Sequence, residues 1–148
     1  MPVSGDAQLG GAATGPEATL VAALSRFLVA GGYRVRLEVS NMGQSADLVA
    51  TRGRWVTCIE AKVKDWRTAI RQCVAHEAVA DFVCIAVALR RNHEPLVEAA
   101  RARGYGVIAC DPASKQCGWI LAPRRNLAVW APQRKRMTAA MKEVGYAR

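Results

Sequence analysis

The sequence predicts a mixed α/β fold, a central sheet of parallel and antiparallel strands flanked by helices in the order α-β-β-β-α-β. Three observations predict it. Apolar residues recur at helical spacing after residue 16 and again after residue 65. Between and beyond those stretches they alternate strictly or run without interruption, as strands do. Gly, Pro, Asp and Asn stand at the boundaries, where turns and helix caps are expected.

Pro16 and Glu17 suit the first turn of a helix, because proline needs no amide partner there and a carboxylate favours the positive end of the dipole. Leu20, Leu24, Phe27 and Leu28 form its apolar stripe, and Gly31-Gly32 ends it. In YRVRLEV, residues 33–39, Tyr33, Val35, Leu37 and Val39 alternate with Arg34, Arg36 and Glu38, the pattern of a half-buried strand. A loop is expected over 40–45, a short strand over 46–51, a hairpin turn at Arg52-Gly53-Arg54 and a returning strand over 55–63. Asp65 is placed to cap a helix starting at Trp66. Residues 81–89, DFVCIAVAL, read as a strand covered on both faces. Pro95 opens a helix that Gly104 ends, and GVIAC, residues 106–110, is a second buried strand. Residues 118–123 suggest an edge strand, and the tail a short helix to about Val144.

The chain has 148 residues, enough for one domain with a proper core. No apolar run approaches the ~20 residues that span a bilayer, so no membrane association is expected. Residues 1–15 read as a flexible lead-in without signal-peptide character. A folded domain over 16–123 and a basic, partly helical extension over 124–148 follow. The five cysteines show no CxxC spacing and fall mostly in apolar runs. They are expected to be reduced core residues of a cytoplasmic protein.

Charge is uneven. Residues 1–100 carry 11 Lys/Arg against 10 Asp/Glu, residues 101–148 carry 10 against 2, and the whole chain is +9. A basic half points to a polyanionic partner, most simply nucleic acid. Arg124, Arg125, Arg134, Lys135 and Arg136 are the candidate phosphate contacts, and Trp119 and Trp130 lie in the same half.

The chemistry-bearing stretch is CIEAKVKDW, residues 58–66. Glu60 and Lys62 face the same way on a strand that otherwise belongs in a core, about 7 Å apart. The hairpin closing near Gly53 sets residue 47 opposite about residue 59, so one register step brings Asp47 beside Glu60. Two adjacent carboxylates repel and call for a cation. Mg²⁺, with Mn²⁺ as a substitute, suits a site of one or two carboxylates that retains waters.

Asp47 in DLVAT and Glu60-Ala61-Lys62, set in this element order, resemble the PD-(D/E)XK nuclease superfamily, the restriction-endonuclease-like fold. The resemblance covers about residues 16–111. It implies that Asp47 and Glu60 hold Mg²⁺ and that Lys62 assists the attacking water. It also implies that a first-helix acid, here Glu17, joins them, with Glu38 as a further candidate. Gln72 matches a catalytic glutamine on the helix after the lysine, and His76 stands where some subgroups carry tyrosine. Ala46 replaces the proline before the aspartate. The function so implied is a metal-dependent deoxyribonuclease, most simply an endonuclease. A homodimer is compatible with such a role, although no dimer seam is visible. The alternative is a non-catalytic nucleic-acid-binding protein on the same fold.

Overall fold

The computed structural model describes residues 15–41 and 44–144. Except for Gly15, the expected lead-in lies outside them. The elements are α1 (Pro16–Ala30), β1 (Arg34–Asn41), β2 (Gln44–Arg52), β3 (Trp55–Lys62), α2 (Trp66–His76), β4 (Phe82–Ala88), α3 (Glu94–Arg103), β5 (Gly106–Cys110), β6 (Cys117–Leu121) and α4 (Ala131–Val144). They build one six-stranded sheet in the order β1-β2-β3-β4-β5-β6. The β1/β2, β2/β3 and β5/β6 pairs are antiparallel, whereas β3/β4 and β4/β5 are parallel. The helices α2 and α3 are the crossovers that parallel neighbours require.

Helix α1 covers one face through Leu20, Leu24 and Leu28, which pack on Val35, Leu48 and Ile59. The other face carries Ala69 and Cys73 of α2, Leu96 and Ala100 of α3, and Met137 and Met141 of α4. With both faces covered, Val83–Val87 of β4 are all buried, which explains an uninterrupted apolar run there. Asp65 caps α2 by accepting from the Thr68 amide at 3.2 Å. Gly104, at φ 81°, closes α3 in a left-handed conformation that a side chain would strain. No described helix is long and apolar enough to cross a membrane.

Three expectations change. The segment 40–45 is not all loop, since β1 reaches Asn41 and β2 begins at Gln44; Met42 and Gly43 lie outside the described residues. The alternation in β1 does not place its apolar residues on one face. Val35 and Val39 join opposite cores, and Leu37 is 42% exposed. The intervening Glu38 has φ 51°, and a left-handed residue within a strand breaks the period-two alternation. Finally, Cys110 and Cys117 are disulfide-bonded. They are partners across the β5/β6 pair, with Cα atoms 3.9 Å apart, whereas Cys58, Cys73 and Cys84 are free and buried as expected.

Candidate active site at the carboxyl end of the sheet

The β2–β3 hairpin aligns Arg52 with Trp55 and Leu48 with Ile59. One rung further, the same register puts Asp47 opposite Glu60. Asp47 Oδ2 accepts from the Ala61 amide at 2.8 Å, which fixes its carboxylate at the end of β3. Burial raises the Asp47 pKa, the Ala61 bond lowers it, and the charge of Glu60 and a hydrogen bond with that residue raise it again. The result is about 6, despite the opposing charge of Lys62.

Lys62 Nζ lies 3.8 Å from Glu17 Oε1 at the start of α1, and both side chains are partly exposed. Thus β2 supplies Asp47, β3 supplies Glu60 and Lys62, and the first helix adds Glu17 on the solvent side. The β1/β2 register sets Glu38 across from Asp47, but the Glu38 side chain is exposed.

Glu60 points inward and is 2% exposed, and its Oε2 meets His76 Nε2 of α2 at 2.5 Å. A carboxylate only accepts, so Nε2–H is the donor. His76 is itself 0% exposed. Its Nδ1 and the Oε1 of Gln72, one turn earlier on the same helix face, are buried without partners. The helical interval of 72 and 76 was legible in the sequence; the contact of His76 with Glu60 was not.

Among the described residues no group of three His, Cys, Asp or Glu side chains is arranged to hold a metal ion. The arrangement is a two-carboxylate platform rather than a closed cage. That donor set fits Mg²⁺, which keeps most of its waters and takes one or two protein carboxylates.

The basic residues divide between the two ends of the sheet. Arg124 donates to the Arg101 carbonyl at 3.0 Å, and Arg125 lies over the Trp55 ring at 4.6 Å. Arg134 pairs with Asp81 at 3.1 Å and also donates to the Arg54 carbonyl. Trp55, Arg54 and Asp81 mark the amino ends of β3 and β4, roughly 20 Å along the strand from Lys62. Lys135 and Arg136 are exposed on α4. Of the two tryptophans of the basic half, Trp119 is 42% exposed and touches Phe27, while Trp130 is 56% exposed.

The carboxyl end has its own rim, which charge counting missed. Lys64, Arg67, Arg90 and Arg91 are exposed in or beside the loops that follow β3 and β4. Arg67 stacks on Trp66 at 4.3 Å, and Arg90 donates to the Val63 carbonyl at 3.4 Å. A cleft of about 210 Å³ opens between the starts of α2 and α3, lined by Arg67, Arg90, Asn92 and His93. These charges were hidden in a nearly balanced total. The usable signal was their position just after two core strands, where open α/β sheets place ligands.

No family model matches the chain, and no curated protein is significantly similar to it in sequence. Solved structures do share its fold. A protein of unknown function from Silicibacter pomeroyi superposes with a TM-score of 0.70 at 18% identity, over 88% of this chain and 86% of that one. An XisH family protein from Nostoc punctiforme gives 0.52 at 16% identity, over 69% of this chain and 98% of that one. A fdxN element excision controlling factor protein from Anabaena variabilis gives 0.53 at 17%, over 70% and 98%. At such identities the likeness is one of architecture. This architecture, an open mixed sheet flanked by helices, is consistent with a restriction-endonuclease-like core.

Proposed function

We propose that the protein is a Mg²⁺-dependent nuclease that hydrolyses phosphodiester bonds in DNA. The observation that carries this reading is the packing of Asp47 against Glu60 at the carboxyl end of β3, with Lys62 on the same rim. Asp47 and Glu60 would hold the ion, with Glu17 close enough to Lys62 to complete the polar wall. A bound Mg²⁺ supplies a Lewis acid for a phosphate oxygen and acidifies water. The Ala61 amide holds the Asp47 carboxylate in place. The partly exposed Lys62 ammonium orients the attacking water or neutralises charge developing on the phosphate. The rim of Lys64, Arg67, Arg90 and Arg91 is at hand for flanking phosphates, and Lys135 and Arg136 offer more distant contacts.

One observation favours a second reading, a binding protein that does not cut. Glu60 is fully covered and bonded to His76, and Lys62 is engaged by Glu17, so each group has an internal partner. A digest separates the two. Supercoiled, linear, branched and single-stranded DNA would be incubated with Mg²⁺, Mn²⁺ or EDTA, using the parent and Glu60→Gln. Metal-dependent cleavage that the substitution abolishes supports the nuclease. Salt-sensitive DNA retention without cleavage of any substrate supports the binding protein.

A further inference from the structure

We propose that His76 is a positioning residue for Glu60, holding that carboxylate in the rotamer that faces Asp47. This rests on the reading of Asp47 and Glu60 as an ion-binding pair. The two residues come from different elements, β3 and α2, and meet at 2.5 Å with both side chains almost wholly buried. Glu60 has freely rotating side-chain bonds, and its immediate strand neighbours Ile59 and Ala61 are apolar and buried. Besides Asp47, which repels it when ionised and hydrogen-bonds to it when protonated, it meets His76. Without the Nε2–H donor the carboxylate would turn to find another partner, because a buried charge without a hydrogen bond is costly. Donors in this outer position set the orientation of an ion-binding carboxylate and commonly change metal affinity 10- to 100-fold.

The surroundings of the imidazole support a positioning role. With Nε2–H donating to Glu60, Nδ1 of a neutral imidazole is a bare acceptor, and it is buried and unpartnered. Gln72 Oε1, one turn away on the same face of α2, is in the same condition. Turning the Gln72 amide would exchange its oxygen for an N–H and offer that donor from the helix face that carries the imidazole. Gln72 would then fix the tautomer that presents Nε2–H to Glu60. That gives Gln72 an indirect role in place of direct contact with a substrate.

The test measures Mn²⁺ binding by calorimetry in the parent, His76→Gln, His76→Met and Glu60→Gln, with folded fraction checked by circular dichroism. The glutamine amide reaches as far as Nε2 and donates; methionine fills the space and does not. His76→Gln is expected to bind Mn²⁺ within a few-fold of the parent, and His76→Met about 10-fold or more weakly at equal folded fraction. Equal affinity in both variants and the parent overturns the proposal. If the parent fails to bind, or binds no better than Glu60→Gln, the ion-site reading itself fails and this proposal with it.

Should His76→Met not fold, imidazole NMR of the parent decides. The chain has two histidines, so His76 is assigned against His93 through His76→Gln. A slowly exchanging Nε2–H that shifts on Mg²⁺ addition is expected. A proton on Nδ1 alone, or an Nε2–H indifferent to Mg²⁺ that binds, overturns it.

Discussion

Asp81 and Glu60 are both 2% exposed, and they lie toward opposite ends of the same pair of strands. Asp81 is fully provided for. Its Oδ2 accepts from the Val56 amide at 2.8 Å and from Arg134 Nε at 3.1 Å, so a guanidinium of its own balances the charge. Glu60 has a second carboxylate beside it, a histidine beneath it and no guanidinium. The nearby ammonium of Lys62 is shared with Glu17. A buried acid that serves the fold is neutralised from within the chain. Two acids pressed together with half a counter-charge leave a demand that an added cation answers. The amino end is therefore a clasp that ties α4 to the sheet, and the carboxyl end carries the proposed site.

The sharpest way to break this comparison is to remove one charge at each end. Asp47→Asn is expected to lower the metal-dependent nicking rate by about 10²–10³-fold, some 3–4 kcal/mol of barrier. It should leave the melting temperature of metal-free protein unchanged or raised, since a repulsive neighbour is gone. A substantial loss of stability with cleavage retained would place both acids in the structural class. Asp81→Ala should do the reverse, costing about 2–3 kcal/mol of stability, measured by urea denaturation, with little change in cleavage by the folded fraction.

A smaller effect separates the ends by pH. Asp47, at about 6, holds its proton more tightly when folded than its ordinary value of 3.8 allows in the unfolded chain. Its contribution to metal-free stability is full below the ordinary value and is lost as pH rises through about 6. Denaturation midpoints of the parent should fall across that window relative to Asp47→Asn, and parallel profiles would contradict the burial of Asp47 beside Glu60. Smallest is the effect of single rim charges. Replacing Arg90 or Arg91 by Ala should weaken DNA binding a few-fold and reduce the salt slope by about 1. Arg134→Ala should act on stability instead, because its guanidinium is already committed to Asp81.

Much of the site was legible because its parts are local. Pairing along a hairpin follows from its turn, so Asp47 and Glu60 were placed within one step of the observed register. Caps and stops at Asp65 and Gly104 are likewise decided by residues a few positions apart. The contact of His76 with Glu60 was not legible, for the opposite reason. Whether it meets Glu60 depends on how α2 rotates as it docks, and periodicity identifies a helix face without saying which strand residue lies beneath it. Arg134 was grouped with Lys135 and Arg136 as a phosphate contact, yet its guanidinium engages Asp81, 53 residues away in the chain.

The sequence by itself determined the order of elements, the antiparallel meander and the meeting of two acids and a lysine, because near-neighbour sterics and hairpin register reach that far. Only the tertiary structure decided that Glu60 is sealed against His76 and that Glu38 reverses the faces of β1. The same holds for the Cys110–Cys117 bond and for the clasp formed by the basic tail. Each of those depends on surfaces brought together by packing, where what a side chain touches is set by the whole core and not by its neighbours along the chain.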